Sequence, residues 1–234
     1  MLWGIERVKP QAAYDMTVDR IRGQIHSGLL LPSEKLPAER QLSDDFGISR
    51  VTLREALRVL ETDRYITIKR GSQGGAFVAG HSELETLATK RIARKPADAM
   101  RVLEFVCSNE QTATGLATVR GGVAEFKRMQ SALDMIERVT SAAELKQAET
   151  LYHLALGQAS QNKLFAAAIA DGMSELFMPY PDLNFSDTRT ASAHWHGKLL
   201  AAVMDTDKEG SLAALSEIHD LWWRQMRNFS RKAA

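Results

Sequence analysis

Four side chains in the C-terminal half have the types and spacing of a metal-ion shell. Glu149 and His153 are four residues apart in a strongly helical segment, so they share one face about a turn apart. His196 leads the apolar run Leu199, Leu200 and Val203, and His219 sits among Leu212, Leu215, Ile218 and Trp222. Three imidazoles and a carboxylate on three helices could converge on one divalent ion inside a bundle. Each histidine could equally be a hydrogen-bonded or surface residue, and the spacing leaves that open. His194 falls on a different helix face from His196 and is expected to stay out of the set. An ion with an open position could activate water in a metal-dependent hydrolase. No obvious nucleophile or paired catalytic carboxylates stand beside these residues, so the chain is not expected to be an enzyme.

A second constellation lies in the N-terminal third. Leu53, Ala56, Leu57 and Leu60 recur with helical period and predict a buried face. Arg50, Arg54 and Arg58 form the adjoining stripe, and Ser49 stands where a helix N-cap would. The guanidinium fork suits guanine edges and phosphates alike, and the first turn of a helix offers amides to phosphate. Thr52 can bond a phosphate or touch a thymine methyl. Arg40 lies on the preceding helix, and Lys69-Arg70-Gly71 would bring a basic tip to a groove.

These groups need positioning elements. Helices are expected over 12–27, broken at Gly28, over 38–46, and over 50–62 after the turn Gly47-Ile48-Ser49. Tyr65–Lys69 alternates as a half-buried strand should, Arg70–Gly75 turns, and Ala76–Val78 pairs back. That order is a winged helix-turn-helix. From Leu84 onward the pattern is successive amphipathic helices, with breaks at Pro96, Gly121-Gly122, Asn162, Gly172 and 178–187, the last containing Pro179-Tyr180-Pro181. The fold class is mainly α: a winged helix-turn-helix with a small hairpin over 1–80, a linker over 81–95, and an all-α bundle over 96–234.

Composition sets outer limits. Of 234 residues, 44% are hydrophobic and 25% charged, which places the chain among globular proteins rather than disordered ones. The lone Cys107 excludes an internal disulfide framework, and no apolar run reaches membrane-spanning length. Residues 1–10 lack a signal-peptide core, so a cytoplasmic location is expected. Net charge is +1, with only a slight basic excess before residue 80, which permits a local DNA-binding surface without requiring one.

The segments Leu36-Pro37-Ala38-Glu39-Arg40-Gln41-Leu42-Ser43, Gly47-Ile48-Ser49-Arg50 and Thr52-Leu53-Arg54-Glu55-Ala56-Leu57 resemble the signature of GntR-type regulators. The resemblance implies operator contacts from Arg40, Ser49, Arg50, Thr52, Arg54, Arg70 and Gly71, and a homodimer on pseudo-palindromic DNA. It departs at Arg64, where the family usually has Gly, and a slightly different turn is expected there. Glu149-x-x-x-His153, the Ser160-Gln161-Asn162 break, His196 and Ala214–His219 resemble the FCD domain of the FadR subfamily. That likeness implies zinc or nickel held by Glu149, His153, His196 and His219, and a small organic acid such as a carboxylate as effector. Glu149 stands where the family has Asp. Val106 stands where a family arginine frequently holds the ligand carboxylate, between the matching Glu104 and Glu110. Cys107, Trp222, Trp223 and Met226 are expected to be core or interface. The implied function is a DNA-binding repressor whose operator affinity follows effector binding, with 80–95 transmitting the change. A regulator with the metal itself as effector is the alternative.

Overall fold

The computed structural model describes residues 13–71, 74–178 and 185–233. The expected helix start at Ala12, part of the wing tip and the Pro179-Tyr180-Pro181 break lie outside the described residues.

The N-terminal unit comprises α1 (Ala13–His26), α2 (Glu39–Phe46), α3 (Arg50–Thr62), β1 (Ile66–Lys69) and β2 (Gly75–Val78). Leu53, Ala56, Leu57 and Leu60 are all buried and pack with Val18, Ile21 and Ile25 of α1. Gly47 ends α2 at φ 65°, a left-handed conformation that glycine adopts without steric cost. The two strands pair antiparallel in the register Ile66↔Val78 to Lys69↔Gly75. The expected alternation along Tyr65–Lys69 is only partial: Tyr65 and Ile66 are buried, whereas Ile68 is exposed, because a two-stranded hairpin covers one face at its base alone. The turn after α3 also corrects an expectation. Arg64 sits at φ 64°, so the chain keeps the left-handed turn and carries it on a non-glycine residue.

The segment expected as a linker is a helix, α4 (His81–Arg94). Its Leu84 and Ala88 belong to the N-terminal core, while Ile92 belongs to the C-terminal one, so one helix is anchored in both. The C-terminal bundle comprises α5 (Pro96–Arg120), α6 (Val123–Arg138), α7 (Ala142–Ala159), α8 (Lys163–Glu175), α9 (Phe185–Met204) and α10 (Lys208–Ala233). Gly172 does not break a helix. It lies buried within α8, where a Cβ would stand 2.6 Å from Val106 Cγ2, so glycine permits the close approach of α5 and α8. Two interruptions escaped the sequence reading. Ser141 opens α7 with a capping box to Glu144, and Thr206, at φ 59°, turns the chain between α9 and α10.

The two units meet along the end of α1. His26 is stacked on Phe177, just past α8, at 4.2 Å between centroids. Its Nδ1–H donates to Ser174 O at 3.1 Å, and the Tyr65 hydroxyl donates to its Nε2 at 3.0 Å. Thr150 Oγ1 donates to Ser27 O at 2.6 Å, and Gln147 Nε2 donates to Leu29 O at 2.9 Å, so α7 satisfies carbonyls beyond the end of α1.

Candidate functional site

The candidates for DNA contact lie on α2, at the start of α3 and at the end of β1. Ser49 caps α3 by accepting the Thr52 amide at 3.1 Å, and its hydroxyl lies 2.8 Å from Thr52 Oγ1. Both polar side chains therefore stand at the exposed start of the helix. Arg40, Arg50 and Arg58 are exposed and make no ion pair among the described residues. Arg54 Nε donates to Glu39 Oε2 at 2.8 Å, an exposed pair across α2 and α3. Such pairs contribute about 0–1 kcal/mol, so Arg54 can exchange Glu39 for another anion at little cost. Arg70 and Gly71 are exposed at the end of β1, and Gly71 has φ 102°.

The four expected metal ligands come together in the bundle as one buried polar chain, without forming a closed coordination shell. His153 on α7 and His196 on α9 face each other with Nε2 atoms 3.2 Å apart. His196 Nδ1–H donates to Ser192 O at 2.8 Å, which leaves Nε2 as the lone-pair nitrogen. Burial, followed by the proximity of His153, holds the His196 pKa down to about 3, so this imidazole is neutral. Tyr152 donates to His196 O at 2.8 Å and fixes the same turn of α9. His219 is turned the other way, its Nε2 2.7 Å from Glu110 Oε2. Glu149 does not reach the histidine pair either, since its Oε1 accepts from Ser192 Oγ at 2.6 Å. Burial raises the Glu149 pKa, and the Ser192 bond opposes that rise. Among the described residues no three His, Cys, Asp or Glu side chains are grouped as metal ligands. His194 is exposed against Trp195, outside the cluster as expected.

Glu110 organises this cluster, a role its sequence context did not signal. It is fully buried on α5, with Oε1 2.9 Å from His153 Nδ1 and Oε2 on His219. Burial alone would raise its pKa, but the two imidazoles, His153 foremost, hold it at about 2. The His153 contact is short yet off the line of an N–H···O bond. Glu110 Oε1 and His153 Nδ1 are thus left without hydrogen-bond partners, as is Thr114 Oγ1 one turn along α5. Cys107, also on α5, has its thiol pushed up to about 12 by burial and then by Glu110, which fits its reading as an inert core residue.

A cavity of about 600 Å³ opens beside this cluster. Glu149, Ser192 and His196 form its polar floor, and Leu145, Met173, Leu176, Met178 and Ile218 supply apolar walls. Trp222 is core, 4.6 Å from the His153 ring, and one side of it lines the cavity. Val106 does not line it. Its side chain is buried against Gly172.

The arrangement is a winged helix-turn-helix carried on a helical bundle with a largely apolar cavity that has a polar floor. A model of the bacterial regulatory proteins of the gntR family matches residues 13–78, and a model of the FCD domain matches residues 102–220, half of the chain. The chain belongs to the GntR family, with an FCD domain. This GntR-family regulator is 29% identical over 143 residues to the HTH-type transcriptional regulator LutR of Bacillus subtilis, covering 60% of this chain and 64% of that one. It is 30% identical over 164 residues to an Escherichia coli protein named as an L-lactate dehydrogenase operon regulatory protein, covering 66% and 61%. Both alignments span less than two thirds of the relative's length. The Escherichia coli McbR/YncC structure shares the fold, with a TM-score of 0.54 at 19% identity over 94% of this chain and 99% of that one. The regulator is a DNA-binding transcription factor rather than an enzyme. No described helix is long and apolar enough to cross a membrane.

Proposed function

We propose that this GntR-family regulator is a homodimeric repressor that reads operator DNA with Arg40, Ser49, Arg50, Thr52, Arg54, Arg70 and Gly71, and that a small organic acid bound in the bundle changes its affinity. The observation that carries the reading is the cavity whose floor includes His196, with the buried Nε2 of His153 3.2 Å behind its own Nε2.

That pair also supports a divalent ion. Two nitrogens each about 2.0–2.1 Å from a zinc-like ion lie roughly 3–3.4 Å apart, the separation seen here. His196 has its lone pair fixed at Nε2 by the Ser192 carbonyl, and Glu110 stands behind His153 as a carboxylate commonly does behind a ligating histidine. The residues fit zinc or nickel, with His153 and His196 as the formed pair and His219 and Glu149 as the remaining donors. When bound, the ion supplies a Lewis-acidic anchor for a carboxylate or hydroxyl oxygen of the effector. The chain's own residues orient the donors, exclude water and shape the cavity. The cavity's extent beyond the histidines favours an organic effector over the ion alone. Phe105 and Val119, both exposed, lie within about 40° of one another around α5 and support a second copy as the cover of that face.

The test is operator binding by fluorescence anisotropy on fragments upstream of the regulator's own gene, with chelated and with nickel- or zinc-restored protein. Arg50→Ala is expected to weaken binding at least tenfold and to flatten its salt dependence. Elemental analysis should find about one ion per subunit, lost in His196→Ala. Affinity indifferent to Arg50 and to salt refutes the DNA surface, and a chain that takes up neither ion refutes the metal.

A further inference from the structure

The cavity wall is shared between the two units. Ser27, just beyond α1, lines it together with Lys146, Glu149 and Thr150 of α7. Positions 146, 149, 150 and 153 fall on one helix face, so the face that offers His153 to the histidine cluster also carries a lysine to the far end of the cavity.

Lys146 touches the chain on both sides of the junction. Its stem packs on Gly28, where a Cβ would stand 3.1 Å from Lys146 Cγ and where the chain turns at φ 81°. Its Nζ donates to Met178 O at 3.1 Å and lies 5.6 Å from the centre of the Phe177 ring. The short turned segment after α8 splits its side chains: Leu176 and Met178 face the cavity, while Phe177 enters the N-terminal core and stacks on His26. One turn further along α7, Thr150 holds the Ser27 carbonyl.

Lys146 and Arg224 are the positively charged residues of the described cavity lining. Val106 is buried across α5 and α8 and takes no part in the lining. Arg224 lies on the lining but is exposed, and its Nε donates to Asp220 O on its own helix. Lys146 is half-buried in the wall, in apolar company with Leu145, Met173, Leu176 and Met178. Burial pulls its pKa down to about 8 while Glu149 opposes the fall, so at neutral pH it remains mostly cationic and gains from a further anion.

We propose that Lys146 is the specificity-determining residue of the effector cavity: it receives the carboxylate of a small organic acid and transmits occupancy directly to the end of α1, through Gly28 and the Thr150–Ser27 bond. This rests on the reading of the cavity as the effector site. It moves the coupling route from the connecting helix α4 to the contact between α7 and α1.

The test uses the full-length, metal-restored regulator with L-lactate, succinate and benzoate, each beside its amide, by isothermal titration and by operator anisotropy. At least one acid is expected to bind and to change operator affinity fivefold or more, and its amide to bind at least tenfold more weakly. Lys146→Met should cut acid affinity at least thirtyfold, while Lys146→Arg keeps it within about fivefold. Thr150→Val should bind the acid as the parent chain does, yet lose most of the change in operator affinity. Acid binding equal in Lys146→Met and the parent, no binding by any of the acids, or an undiminished operator response in Thr150→Val each overturn the proposal. If operator binding without acid remains intact and salt-dependent in those cases, the DNA-binding reading stands and this inference alone has failed.

Discussion

Glu110→Gln is the sharpest probe of the histidine cluster. The fully buried carboxylate is hydrogen-bonded to His219 Nε2 at 2.7 Å and makes a close charge contact with His153 Nδ1 at 2.9 Å. An amide of the same shape can present its oxygen to one ring and must present its NH2 group to the other. A carboxyl held at about 2 instead of its ordinary 4.5 corresponds to about 3 kcal/mol in favour of the charged form. With the amide standing in for a protonated carboxyl, the variant should lose about 3 kcal/mol at pH 7.5. The folded pKa is depressed, so the contribution is fully present above about 4.5 and disappears as the pH falls toward 2. At pH 3 the gap between variant and parent should narrow to about 1.4 kcal/mol. Urea denaturation of the chelated protein at both pH values, followed by tryptophan fluorescence, measures both figures. A variant within about 0.5 kcal/mol of the parent at pH 7.5, or a gap that does not narrow in acid, would refute the view that the carboxylate organises these rings.

Two further perturbations bear on the packing that holds the site. Gly172→Ala should destabilise the chain by about 1–2 kcal/mol, since overpacking against Val106 outweighs the gain in helix propensity; combining it with Val106→Ala should recover at least about 1 kcal/mol in a double-mutant cycle, and an unchanged or stabilised single variant would contradict the close approach. His26 has its pKa held well below 6.5, chiefly by burial and then by Arg91 and Lys146, so its contribution is present above pH 6.5 and is lost as the pH falls toward the folded value. Each pH unit in that window should remove up to about 1.4 kcal/mol from the parent and not from His26→Gln; urea midpoints at pH 7.5 and 5.5 that move equally in both chains would show that the ring is not buried neutral between the units.

Much of this protein is written in local chemistry. The period of Leu53, Ala56, Leu57 and Leu60, the glycine at 47 and the cap at Ser49 each act within a few residues, so α2, α3 and the turn between them were legible at once. The histidines at 153, 196 and 219 were legible as candidates because polar rings among apolar helical positions must find partners when buried. Other features depended on distant neighbours. Gly172 looks like a helix break in isolation and is a packing contact only because Val106 of α5 meets it. Arg64 shows that neighbouring structure can impose a left-handed turn on a residue that does not favour it. Glu110 and Lys146 are ordinary charged residues on long helices, and nothing in their local spacing marks them. Glu110 matters because full burial removes the water that would otherwise satisfy it, and Lys146 because the fold sets it, half-buried, against Gly28 and Met178. The sequence alone therefore determined the winged unit, the helical character of the rest and the histidines worth watching, but not every helix boundary. Only the tertiary structure decided which nitrogen faces which, that Glu149 bonds Ser192 instead of the histidines, and that the cavity touches the end of α1, because those are relations between groups more than forty residues apart.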